Sequence, residues 1–119
     1  MLLGSVDIDR ALMPMEPNAN RWDFAIGYKH SNREEAVVYW VEIHTGSDTE
    51  FKLVLRKLDW LLGWLRSTGK ALNAFECEYI WVASGATAFT DSAKQTKIMA
   101  QRGLRYAGKR LFIPDERVT

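Results

Sequence analysis

Two neighbouring segments, residues 21–28 and 36–44, read as the paired strands of one hairpin. With the turn centred between Asn32 and Arg33, Asp23 faces Glu42, Arg21 faces His44, Ala25 faces Trp40 and Gly27 faces Val38. Directly paired residues point the same way, so these side chains share one face of the ribbon. The other face carries Trp22, Phe24, Ile26, Tyr39, Val41 and Ile43 and is apolar throughout. Such a ribbon buries one side and sets two carboxylates and an imidazole beside small residues on the other.

A length of 119 residues, 47% of them hydrophobic, suits a single domain spanning 1–119 with one core. No apolar run approaches the roughly 20 residues of a membrane span, and the first ten residues lack a basic leader. A soluble, cytoplasmic protein is therefore expected. Cys77 is the single cysteine, which excludes an internal disulfide and a multi-cysteine metal site; its apolar neighbours suggest a buried thiol.

The formal net charge is only +1, but it is unevenly spread. Acids dominate before Phe51, whereas residues 91–114 carry Lys94, Lys97, Arg102, Arg105, Lys109 and Arg110 against Asp91 alone. That polarity fits a cationic surface beside an acidic pocket, or simply a solvated helix face.

Residues 1–20 read as irregular or short-helical, with a short helix at 8–13 ended by Pro14 and Pro17. Ser47 and Glu50 form a capping box that opens a long helix, in which Phe51, Val54, Leu55, Leu58, Leu62 and Leu65 recur at helical spacing as far as Gly69. Its stripe suits the apolar face of the hairpin. A strand at 76–83, a helix capped by Ser92 and Gln95 and stopped at Gly103, and a last strand at 106–113 complete the chain. The expected fold is α/β, a mixed β-sheet with flanking helices in the order hairpin, α, β, α, β.

Two carboxylates about 4 to 5 Å apart repel by roughly 4 kcal/mol at an effective dielectric near 20. A divalent cation, a shared proton or an ion pair with Arg21 would offset that.

Asp23, then Glu42-Ile43-His44 at the end of the second hairpin strand, then helix, strand, helix and strand, resembles the PD-(D/E)XK nuclease superfamily, also called restriction-endonuclease-like. The resemblance covers residues 21–113. It implies Asp23, Glu42 and the backbone carbonyl of Ile43 as ligands of Mg²⁺ or Mn²⁺, with His44 at the position of the motif lysine. It also implies metal-dependent hydrolysis of phosphodiester bonds, most naturally in DNA. An ammonium is charged at neutral pH whereas an imidazole is mostly neutral, so His44 departs from the pattern in chemistry as well as in name. Trp22 likewise stands where the motif has proline. Lys57, with Lys52 behind it, is the candidate to supply the missing ammonium from the following helix.

Lys97, Arg102 and Arg105 are the expected contacts to a nucleic-acid backbone, and Trp40, on the carboxylate face, is the aromatic that could stack on a base. Trp22, Trp60, Trp64 and Trp81 read as core, and His30 as exposed near the turn. Two alternatives use the same residues: a nuclease fold without catalysis that binds protein or nucleic acid, and a hydrolase holding its metal on Asp23, Glu42 and His44 together. The small size suggests a homodimer or a larger protein partner.

Overall fold

The hairpin register expected from the sequence is the one observed. In a computed structural model, which describes residues 1–45, 48–84 and 93–108, Phe24 pairs with Val41, Ala25 with Trp40, Ile26 with Tyr39, Gly27 with Val38 and Tyr28 with Val37. These residues form β2 (Phe24–Tyr28) and β3 (Val37–Thr45). Around them lie β1 (Leu2–Asp7), α1 (Ile8–Leu12), α2 (Asp48–Leu65), α3 (Lys70–Asn73), β4 (Glu76–Ser84), α4 (Ala93–Arg102) and β5 (Leu104–Gly108). All five strands form one sheet in chain order, antiparallel from β1 to β3 and parallel from β3 to β5. The fold is α/β with a mixed sheet.

Residues 1–20 are more ordered than their sequence suggests. Leu2–Asp7 is an edge strand on β2, not an irregular segment, and only the short helix at its end was legible. A bulge between Leu2 and Gly4 breaks the alternation that would have signalled a strand.

The faces also correct the expectation. α2 packs on the face that carries Ala25, Val38, Trp40 and Glu42, where it buries Phe51, Val54, Leu58, Leu61 and Leu65 together with Trp81 of β4. Ile8 and Leu12 of α1 and Met99 of α4 join the same cluster, as two successive crossovers of one hand require. The face thought to receive α2 instead holds a second cluster, Val37, Tyr39, Val41, Ile80 and Val82, flanked by Phe24, Ile26 and Tyr28. Central strands of a largely parallel sheet are apolar on both sides, so alternation alone could not choose between the faces. Trp22 lies just before β2 and belongs with the α2 cluster, where it is fully buried.

Helix α2 ends at Leu65 rather than at Gly69, and a turn leads into α3. Gly69 sits against the indole of Trp64, where a Cβ would come within 2.5 Å of the ring. Gly103 stops α4 as expected, with φ of +71°, a left-handed conformation that glycine adopts without strain. The caps at Ser47 and Ser92 and the last strand beyond Gly108 lie outside the described residues.

Candidate active site at the open end of β2 and β3

Glu42 stands near the end of β3 with its side chain under α2 and is fully buried. The same helix brings Lys57 down onto it: Nζ donates to Glu42 Oε2 at 2.6 Å. Lys57 neighbours the buried Leu58 and is itself mostly covered, with 18% of its side chain exposed. Its aliphatic stem follows the core, and its ammonium ends at the one carboxylate the helix covers.

Asp23 completes the pair from the neighbouring strand. The ladder between β2 and β3 ends at Phe24 and Val41, so the amide of Ile43 has no backbone partner on that side. Asp23 Oδ2 accepts it at 2.9 Å. The backbone carbonyl of Asp23 meanwhile accepts from the amides of Ile8, at 2.7 Å, and Asp9, which fixes the approach of α1. In a strand the N–H and C=O of one residue point to the same side, so the carbonyl of Ile43 is also directed toward Asp23.

Burial pushes the Glu42 carboxyl up from its ordinary 4.5 to about 7. The Lys57 hydrogen bond opposes that shift and the charge of Asp23 adds to it. Asp23 is raised as well, chiefly by burial, against the lowering effect of the Ile43 amide and the Lys57 charge. Glu42 Oε1 is buried and without a hydrogen-bond partner. A buried oxygen left unpaired is costly, and it marks where a proton or cation would be held.

His44 lies one residue beyond Ile43 with Nδ1 4.0 Å from Glu42 Oε2, and its Nε2 is 2.9 Å from Glu50 Oε2. Glu50 and Lys57 are two helical turns apart and so share one flank of α2, one on each side of this end of the sheet. Sequence reasoning set Glu50 aside because a capping box already used it. The seven-residue spacing to Lys57 was the signal that could have recovered it.

The structure thus brings Asp23, Glu42, Ile43, His44 and Lys57 together. It excludes others. Lys52 is exposed beside a separate cleft with Lys94, so Lys57 alone supplies an ammonium to the carboxylates. Arg21 does not reach them; its Nε bonds to the carbonyl and carboxylate of Asp9, at 3.1 and 3.0 Å. Trp40 is fully buried edge-to-face against Trp64, with ring centroids 6.1 Å apart, and cannot stack on a base. Lys97 and Arg102 belong to α4, with Arg102 ion-paired to Asp59 of α2. Arg105 follows the reversal at Gly103 and pairs with Ile80, so it sits on the opposite side of the sheet. The three cations do not form one surface. His30 is buried, with Nε2 2.6 Å from the hydroxyl of Tyr39, rather than exposed.

Among the described residues no three His, Cys, Asp or Glu side chains come together as a metal-ligand group, which disfavours a site built on Asp23, Glu42 and His44 jointly. Two carboxylates and a backbone carbonyl are a different donor set. All are hard oxygens, which suit Mg²⁺ or Mn²⁺ completed by waters rather than Zn²⁺. The unpaired Oε1 of Glu42 fits that use. No described helix is long and apolar enough to cross a membrane.

Comparison of the chain with protein families, with curated proteins and with solved structures finds no match in any of the three.

Proposed function

We propose that the protein is a metal-dependent phosphodiesterase of the PD-(D/E)XK kind, acting on DNA, with Asp23, Glu42 and the carbonyl of Ile43 holding Mg²⁺ or Mn²⁺. The observation that carries the reading is the 2.6 Å bond from Lys57 to Glu42. It puts an ammonium beside the paired carboxylates at the place the motif demands, although the motif position itself is His44. The antiparallel strands β1 to β3, followed by a helix and a parallel strand, support the same resemblance.

A bound metal ion would lower the pKa of a coordinated water and polarise the phosphate. The chain's own groups do the rest. Lys57 balances the carboxylates and offers N–H donors to a phosphate oxygen or an attacking water at the same end of the sheet. Asp23 is held in place by the Ile43 amide, which keeps its carboxylate oriented toward Glu42. His44, fastened to Glu50, is positioned to hold a water on the far side of Glu42.

The test is cleavage of plasmid, linear and single-stranded DNA, and of RNA, in Mg²⁺ and in Mn²⁺, by the full chain and by its Asp23→Asn variant. Cleavage of DNA that vanishes in the variant is the expected result. Metal binding with no cleavage of any of these substrates would favour a nuclease fold retained as a binding module.

A further inference from the structure

β1 is an edge strand that nothing in its sequence protects. Natural edges are blunted by lysine, proline or an outward charge. Leu2–Asp7 has neither lysine nor proline, and its one acid, Asp7, is turned to accept the amide of Arg10 as the cap of α1. The bulge between Leu2 and Gly4 does not hide the edge either. It shifts the alternation by one, so Leu3, whose Cβ lies 3.7 Å from where a Cβ of Gly27 would be, joins Val6 on the face of the sheet that bears the helices.

That face is apolar and open there. Leu3 is 54% exposed and Val6 50%, and beyond α1 Met13 and Met15 are 47% and 67% exposed. Between them runs an apolar groove of about 450 Å³, floored by Gly4, Ala25 and Gly27 and walled by Leu12, Trp64 and Leu72. Such a surface is on the order of the few hundred Å² at which an exposed apolar patch marks an interaction site. Doubled across a symmetry axis and joined by strand backbone, it reaches the roughly 1,200 Å² at which specific interfaces begin.

We infer that the occupant is a second copy of this chain, joined β1 to β1 in antiparallel pairing about a two-fold axis. An edge strand needs another edge to satisfy its outward amides and carbonyls, and two-fold pairing supplies the same one. The patch carries no charge that would select an acidic or basic partner, whereas it matches itself in chemistry. With the axis normal to the sheet, the product is a continuous ten-stranded sheet with both helical layers on one side. The two grooves then meet at the axis beneath the methionines that follow α1. Asp23 and Glu42 lie at the end of the sheet where β1 finishes, so the two sites fall at opposite ends of the dimer. The inference does not depend on the phosphodiesterase reading.

Mass measured by light scattering during size exclusion, on the full chain at micromolar concentration, tests it. The expected mass is twice 13.7 kDa, falling to 13.7 kDa in Leu3→Glu/Val6→Glu and unchanged in Phe75→Glu, which alters an exposed residue outside the patch. Hydrogen exchange on the unmodified chain should show the β1 amides slowing as concentration rises, a readout that survives any misfolding of the variant. A wild-type monomer throughout the micromolar range, open-ended assembly, or a dimer that persists in the double variant would each overturn the proposal.

Discussion

Lys57 and Glu42 are joined by a 2.6 Å hydrogen bond between a helix flank and the end of a strand, and Glu42 is fully buried beneath it. The bond settles a conflict that the fold itself creates. α2 must cover the face bearing Glu42 to bury its own leucines, and a carboxylate so covered needs a cation.

Removing the cation should therefore cost stability in a pH-dependent way. Lys57→Met is expected to lose about 3 to 5 kcal/mol at pH 8, the cost of leaving a buried charge unpaired. At pH 5 the loss should be much smaller, because Glu42, with its carboxyl raised to about 7, is then protonated. Urea unfolding at both pH values measures this. Adding Glu42→Gln to the variant should recover most of the stability at pH 8 without restoring cleavage.

The sign for the unmodified protein follows from the same group. A carboxyl whose pKa is raised on folding binds a proton more tightly in the folded state, so its contribution is fully present below about 4.5 and is lost as pH rises through about 7. The contribution is of order 3 kcal/mol. Glu42→Gln should flatten the fall in stability across that window, as read by denaturation midpoints. An unchanged slope would show that Glu42 is not the titrating group.

Metal and proton compete for Glu42. Mn²⁺ affinity, followed by calorimetry, is expected to rise close to tenfold per pH unit below pH 7 and then to level off, with proton release that shrinks over the same range. Asp23→Asn should abolish binding, whereas His44→Gln should weaken it only modestly. The reverse order would favour a site centred on the imidazole.

Gly69→Ala tests the packing behind the site. The new Cβ would lie 2.5 Å from the Trp64 ring, which is itself stacked on Trp60 with centroids 6.1 Å apart, so the indole must move. A loss of about 1 to 3 kcal/mol is expected, as for other overpacking changes, read as a lower thermal midpoint.

What the sequence revealed depended on how far each signal was local. The register of β2 on β3 was legible because five consecutive pairs agree with one turn, and Asp23 and Glu42 followed from it. The side on which α2 packs was not, since Val38 and Trp40 on one face are as apolar as Tyr39 and Val41 on the other. Helical spacing pointed to Lys57 correctly, but the same spacing applied to Glu50 was masked by its fit to a capping box. Arg102 and Arg105 looked like one basic cluster in the chain. The reversal at Gly103 puts them on different sides of the sheet, which no count of charges could show.

The central claim is that Asp23 and Glu42 hold one hard cation. Anomalous diffraction from a crystal soaked in Mn²⁺ tests it most directly. The account predicts a single peak about 2.1 Å from an oxygen of each carboxylate, with Lys57 Nζ moved off Glu42 Oε2. A site without a peak, in which Lys57 still donates to Glu42 at saturating Mn²⁺, would contradict it.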